Sequence, residues 1–379
     1  MIYLDNSATT RQYDEVTDRI AKVSREEFGN PSSLHSLGLD AEKLVKRSRK
    51  DLKDKTGLKK LIFTSGGTEA DNMAVFSVAR KYRRANKKYI TTKIEHPAVL
   101  EAMKRLEMDG NNVIYIPVDS EGIVNIEVLE KEIDKDTALV SVMTVNNETG
   151  AIQPINEIGK IIKEKSPKTI FHTDAVQAFG KMRLKNLNAD MISISGHKFH
   201  GPKGIGALYL NDKFNILPYI VGGGQESGLR SGTENVPSIC GISLAADMSY
   251  TNFDKKMKKL TSLNEYLYEG LMSELTDIKL NGPQNRLPSV LNVSFLGTRA
   301  EVLIHTVEQD NIYVSTGSAC SANKNGDSDV LSAMGLNHEE IEGAIRFSFS
   351  EFNSISEMDI VIDRFAKAVK RFRKLGSFR

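Results

Sequence analysis

A lysine delivered by the end of an apolar run into a glycine-lined loop is the first chemical feature of this sequence. In DMISISGHKFHGPKGIG, residues 190–206, the run 191–194 reads as a short buried strand, Ser195-Gly196 end it, and His197-Lys198 follow. An ammonium desolvated there loses proton affinity and can serve as nucleophile or base, although a surface lysine after a core strand has the same local sequence. What distinguishes Lys198 is its company. The runs 61–64, 89–92, 139–145 and 170–173 also read as strands, and each ends in polar groups. Ser65-Gly66-Gly67-Thr68 precede a helical segment, where open N–H groups and the macrodipole favour an anion; the same residues would also make a tight turn with an N-cap. They lack the lysine of a P-loop, which argues against a nucleoside triphosphate. Glu95-His96-Pro97, then Asn146-Asn147-Glu148-Thr149-Gly150, then Asp174 with Gln177 follow the other three runs. An acid buried at a strand end is costly without a cationic partner.

One ligand uses all of these parts. Pyridoxal 5'-phosphate needs a lysine for its aldehyde, an acid for its ring nitrogen, an anion site for its phosphate and a flat group over its ring. Lys198, Asp174, Gly67-Thr68 and His96 fill those roles in turn. His197 and His200 would suggest a metal, but no Cys or carboxylate stands at ligand spacing beside them, so no metal is expected. Arg346, inside the apolar run 344–349, needs a buried anion, either a substrate carboxylate or an internal ion-pair partner.

The elements that must position these groups alternate. Strand-like runs at 61–64, 89–92, 113–118, 139–145, 170–173, 191–194 and 206–210 are separated by helical spacing at 69–83, 98–108, 127–133 and 155–165. That pattern predicts an α/β fold with a mostly parallel sheet covered on both faces, its ligands at the carboxyl ends of strands. A helix over 37–55, closed by Gly57, precedes this core. After it come a helix at 257–275 with Leu260, Leu263, Leu267 and Leu271 as its stripe, strands at 290–295, 313–315 and 345–349, and a closing helix at 358–375. We therefore expect a large cofactor-binding domain over 15–253 and a smaller α+β domain from 1–14 and 254–379.

Composition narrows the setting. The chain has 379 residues, 40% hydrophobic and 26% charged, with a net charge of +2, as expected of a soluble globular protein with no reason to bind nucleic acid directly. MIYLDNSATT has no signal-peptide design, and no apolar run nears the ~18 residues that span a bilayer, so a cytoplasmic protein without membrane contact is expected. Two cysteines cannot build a disulfide framework and fit a reducing compartment. Cys240, in the apolar segment 239–246, reads as core. Cys320 lies among the small residues of 316–321 with the polar stretch 322–329 behind it, which predicts a mobile loop whose thiol can meet substrate and carry cargo outward.

The sequence resembles the cysteine desulfurases of the class-V aminotransferase-like group, in the nitrogen-fixation and housekeeping iron–sulfur branch. LDNSATT (4–10), FGNPSS (28–33), TSGGTEADN (64–72), EHPAVL (95–100), VNNETG (145–150), HTDAVQ (172–177), SGHKFHGPKGIG (195–206), RSGTEN (230–235) and STGSACS (315–321) carry the resemblance nearly end to end. It implies a fold-type-I pyridoxal-phosphate transferase, a homodimer that turns L-cysteine into L-alanine and leaves the sulfur as a persulfide on Cys320. It further implies Lys198 as the cofactor-bearing base and Asp174 on the ring nitrogen. Gln177 would approach the phenolic oxygen, and His96 would stack on the ring, with proton transfer by His96 open beside stacking alone. Thr68, Ser195 and His197 would bind phosphate, with Thr233 reaching the neighbouring subunit's phosphate. Asn147 would lie beside the ring, and Arg346 would clamp the substrate carboxylate. Without Cys320 the same set would suit an aminotransferase or a selenocysteine lyase. Little chain follows the closing helix, where housekeeping members carry a longer tail that docks the iron–sulfur scaffold. The loop SANKNGDSD also departs from that branch. The protein acceptor of sulfur is thus open among an iron–sulfur scaffold, a tRNA-thiolation enzyme and a thiamine-pathway acceptor.

Overall fold

Short runs of β-branched and aromatic residues build the central sheet. The computed structural model describes residues 1–85, 87–214, 216–317 and 327–376. Its strands are β1 (Ile2–Tyr3), β2 (Lys60–Thr64), β3 (Lys88–Thr92), β4 (Asn112–Ile116), β5 (Thr137–Ser141), β6 (Ile170–Asp174), β7 (Met191–Ser195), β8 (Gly206–Leu210), β9 (Ile278–Leu280), β10 (Val290–Phe295), β11 (Ile312–Tyr313) and β12 (Ala344–Ser348). Its α-helices are α1 (Asp14–Glu26), α2 (Ser36–Thr56), α3 (Gly67–Lys81), α4 (Pro97–Met108), α5 (Ile126–Glu132), α6 (Ile155–Lys165), α7 (Val236–Tyr250), α8 (Phe253–Glu274), α9 (Ala300–Glu308), α10 (Asp329–Ala333), α11 (His338–Glu342) and α12 (Ile355–Leu375).

Seven strands form one sheet in the order β2-β8-β7-β6-β5-β3-β4, parallel except that β8 runs antiparallel to both its neighbours. Alternation sorts its side chains. Ile62, Leu208, Met191, Ile170, Leu139 and Tyr89 pack with α3 and α4 on one face. Phe63, Tyr209, Ile192, Phe171, Val140 and Ile90 pack on the other with α1, α2, α6 and α7. Both faces are therefore dry, which explains why β5 to β8 are buried throughout.

A second sheet, β12-β10-β9, is antiparallel. The leucine stripe of α8 packs with it and with α9 and α12, and Ile2 and Leu4 from the N-terminus join the same cluster. There β1 pairs with β11 in parallel. Phe365 of α12 lies 5.5 Å from Phe295 and 5.0 Å from Phe347, centroid to centroid.

The differences from the sequence reading have local causes. The strand expected over 113–118 ends at Ile116 because Pro117 cannot donate to a ladder. The one expected over 139–145 ends as a regular strand at Ser141, which pairs with Thr91 in the last β3–β5 register position. The Val142 and Thr144 amides still donate to the carbonyls of His172 and Asp174, so the chain stays extended along β6. Ser315 makes only a single bridge, to Arg346, beyond the two residues of β11. Gly57 closes α2 in the left-handed conformation (φ 79°), as expected. Cys240 is buried in α7, its sulfur 3.9 Å from Ser48 Oγ of α2.

Phe365→Ala empties the aromatic centre of the second cluster and should cost about 3–5 kcal/mol in urea unfolding. A loss below ~1 kcal/mol would show that this contact does not hold the cluster together.

Candidate active site

The carboxyl ends of β5, β6 and β7 and the N-terminal ends of α3 and α4 open onto a cavity of about 270 Å³. Gly67, Thr68, His96, Asn147, Asp174, Gln177, Ser195, His197, Lys198 and Arg346 all line it. Thr233 is exposed and is not among the lining residues. Cys320 lies outside the described residues.

Lys198 follows β7 in a short 3-10 turn, and its Nζ donates to the carbonyls of Ser7 (2.7 Å) and Ala8 (2.8 Å). The N-terminal segment thus crosses the cavity. Thr10 N and Oγ1 both donate to the His197 carbonyl, and Asn6 and Ser7 bond to Ser348 of β12. Arg346 enters from β12 with its Nη2 2.7 Å from Asp5 Oδ1 and its Nη1 3.0 Å from the Asn147 carbonyl. Arg346 therefore has an internal acid as its ion-pair partner, and it also lines the cavity.

Five carboxyl groups line the cavity, Asp71, Glu95, Glu148, Asp174 and Asp329, and the charges of Asp71, Glu95 and Asp174 bear on one another. Asp174 accepts the Val176 amide (2.8 Å) and is pushed up to about 6 by burial, with that bond and the Lys198 charge opposing. Asp71 is held well above the usual carboxylate range by burial and by the charge of Asp174. Glu95 accepts from Thr92 Oγ1 (2.6 Å) and the Met143 amide (2.9 Å), yet burial pushes it up to about 8. Negative charge is thereby concentrated on Asp174, the acid closest in effect to Lys198. His96 caps α4 by accepting the Ala98 amide on Nδ1 (3.1 Å), and burial, helped by Lys198, lowers it to about 4. The ring is therefore neutral at physiological pH, with its hydrogen on Nε2.

The phosphate end is built from backbone. A Cβ on Gly67 would meet Val176 Cγ2 at 2.8 Å, so glycine lets the start of α3 approach this wall. A recess on the far side of Gly67, Thr68, Ser195 and His197 adds Lys203, a cation that sequence reasoning missed although it stands in the same GPKGIG stretch. Ser7, Glu95 and Arg346, all lining the cavity, each keep a buried polar atom without a hydrogen-bond partner: Oγ, Oε2 and Nε. A polar ligand would complete them. The donor set fits pyridoxal phosphate: an amine, an acid of concentrated charge, an imidazole and a helix start. Sequence reasoning also missed the carbonyls of Ser7 and Ala8, which no side chain announces.

The Aminotransferase class-V family model matches residues 2–361. The cysteine desulfurase IscS of Clostridium botulinum is 41% identical to this chain over 382 residues, which is 99% of this chain and 96% of that protein. The cysteine desulfurase IscS of Dictyoglomus turgidum is 40% identical over 383 residues, 100% of this chain and 97% of that protein. A solved NifS-like protein superposes with a TM-score of 0.92 at 39% identity, over 98% of this chain and 99% of its own.

Glu95 gives the site a measurable pH response. Its carboxyl titrates near ~4.3 when unfolded and at about 8 when folded, so the folded state holds the extra proton between those values. That stability is fully present below the lower value and is lost as pH rises to the upper one. Glu95→Gln cannot ionise and should gain roughly 1–3 kcal/mol over wild type between pH 5 and pH 9, read from urea melts of cofactor-free protein. Equal pH slopes for the two proteins would show that Glu95 is ionised in the fold.

Proposed function

The chain belongs to the class-V aminotransferase family, and from that premise we propose how its cavity works. Its activity is that of a cysteine desulfurase, a pyridoxal-phosphate-dependent sulfurtransferase, and this fits sulfur supply for iron–sulfur cluster assembly. The relatives do not favour the aminotransferase or selenocysteine lyase alternative. The observation that carries the mechanism is the meeting of Lys198, Asp174, His96, the Gly67-Thr68 helix start and Arg346 in one cavity.

Lys198 would carry pyridoxal phosphate, Asp174 would face its ring nitrogen, and Gln177 its phenolic oxygen. Gly67, Thr68, Ser195 and His197 would hold its phosphate, with Thr233 of a second copy completing that site in a homodimer. Once bound, the cofactor supplies an electron sink for the carbanion formed at the substrate's Cα. Arg346, with Asn147 beside it, orients the carboxylate of L-cysteine through its guanidinium fork. The Lys198 amine takes the Cα proton. His96 would lie against the ring; with Nδ1 engaged by the Ala98 amide, its Nε2 hydrogen makes it a donor rather than a base. The thiolate of Cys320 attacks the substrate sulfur, so that an S–S bond forms as the C–S bond breaks. The electron pair stays on the carbon, which takes up protons and leaves as L-alanine, and a persulfide remains on Cys320. A protein acceptor, an iron–sulfur scaffold or a thiolation enzyme, then removes that sulfur. A cytoplasmic setting, where thiols stay reduced, is part of this reading. So is the division into a cofactor-holding unit, 15–253, and a unit of 1–14 with 254–379 that brings Arg346 and Cys320.

Incubation with L-cysteine in the absence of reductant, followed by peptide mass mapping, tests the reading. One added sulfur should appear on the peptide containing Cys320, disappear on thiol treatment and be matched by L-alanine. Cys320→Ser should bind cofactor yet carry no sulfur, while Cys240→Ser should turn over at nearly the wild-type rate. Sulfur on Cys240, or normal delivery by Cys320→Ser, would refute the assignment.

A further inference from the structure

Behind the cavity wall lies a second lysine that the mechanism does not use. Lys181 follows Gln177 by four residues in the turns after β6, and its Nζ is 3.4 Å from Gln177 Oε1. The other end of that amide, Gln177 Nε2, donates to the Ser7 carbonyl (2.9 Å), and the same carbonyl accepts from Lys198 Nζ (2.7 Å). Lys181, Gln177, Ser7 and Lys198 thus form a continuous polar chain. At 3.4 Å the Lys181 contact is long, so charge rather than a tight hydrogen bond defines it. The charges that bear most on Lys181 are Lys198 and Arg346, both cations. An ammonium placed beside two cations with one amide oxygen for a partner costs the fold stability, which marks it as a candidate for function.

We infer that Lys181 is a positioning residue of this site, which holds the Gln177 amide with its N–H end on the Ser7 carbonyl that also accepts from Lys198, and which brings a second ammonium to the polar chain that ends at Lys198. The inference rests on the reading of Lys198 as the cofactor-bearing base. The other groups around Lys198 explain why a counterweight is needed. Asp174, at the end of β6, favours the charged amine. His96, from the start of α4, and His197 and His200, from the turn around Lys198, are neutral near pH 7, each lowered to about 4 chiefly by burial. Arg346, from β12, is already paired with Asp5. Lys181 itself is lowered to about 7 by burial and then by the charges of Lys198 and Arg346.

The test loads wild type, Lys181→Met, Lys181→Gln and Lys181→Arg with pyridoxal phosphate and follows the absorbance of the bound cofactor against pH. Removal of the second charge should raise the titration midpoint by about one pH unit, a tenfold gain in proton affinity, in both Lys181→Met and Lys181→Gln. Lys181→Arg should stay at or below the wild-type midpoint. A merely structural role would leave the midpoint where it is. Loaded Lys181→Met and Lys181→Gln that titrate as wild type overturn the inference alone. A wild-type protein that takes up no pyridoxal phosphate overturns the cofactor reading on which it rests.

Discussion

Two backbone carbonyls hold the amine on which this structure turns. The bonds from Lys198 Nζ to Ser7 and Ala8 are made by a segment whose other contacts reach in both directions. Toward the second sheet, Asn6 and Ser7 bond to Ser348, and Asp5 meets Arg346. Toward the large sheet, Thr10 bonds to the His197 carbonyl and Thr9 Oγ1 to His197 Nδ1. Residues 5–10 therefore fix the base on one sheet relative to the guanidinium on the other. Carbonyls suit the task because they accept the ammonium's hydrogens and so fix where the amine sits.

The electrostatics follow from that placement. Burial alone would neutralise every ionisable group in the cavity, and it does so for Asp71, Glu95, His96 and His197. Asp174 is the acid that Lys198 pulls back toward ionisation. A site with a buried acid at the end of β6, neutral imidazoles and two lysines on one polar chain suits the proton transfer at carbon proposed for it. The planar fork of the Arg346 guanidinium matches the geometry of a carboxylate.

Much of this was legible in the sequence because strands buried on both faces read as uninterrupted apolar runs. The stretches around 61–64, 170–173, 191–194 and 206–210 match strands to within a residue, and 155–165 matches α6 end to end. Polar residues after such runs fall at strand ends, which is why most of the site could be collected before any coordinates. The helices α1, α7 and α9 were not read. In α7 small and apolar residues face neighbours on nearly every side, so no polar stripe marks the period. In α1 only Val16 and Val23 are buried, too few to outline a face. Lys181 was hidden for another reason: a charged residue four after Gln177 reads as solvated surface, and only the packing of the turns after β6 sets it behind Lys198. Thr233 illustrates the opposite case, since a residue expected to serve a second copy leaves no mark on its own cavity.

Lys198 is the amine proposed to hold the cofactor, in a cavity that Lys93 also lines and that has Lys181 behind its wall. Reduction of the loaded protein with borohydride fixes the cofactor to whichever amine carries it, and digestion with mass mapping locates the added pyridoxyl mass. The structure predicts that mass on the peptide containing Lys198, with none on Lys181 or Lys203. A label on either of those lysines, or no label at all after loading, would contradict it.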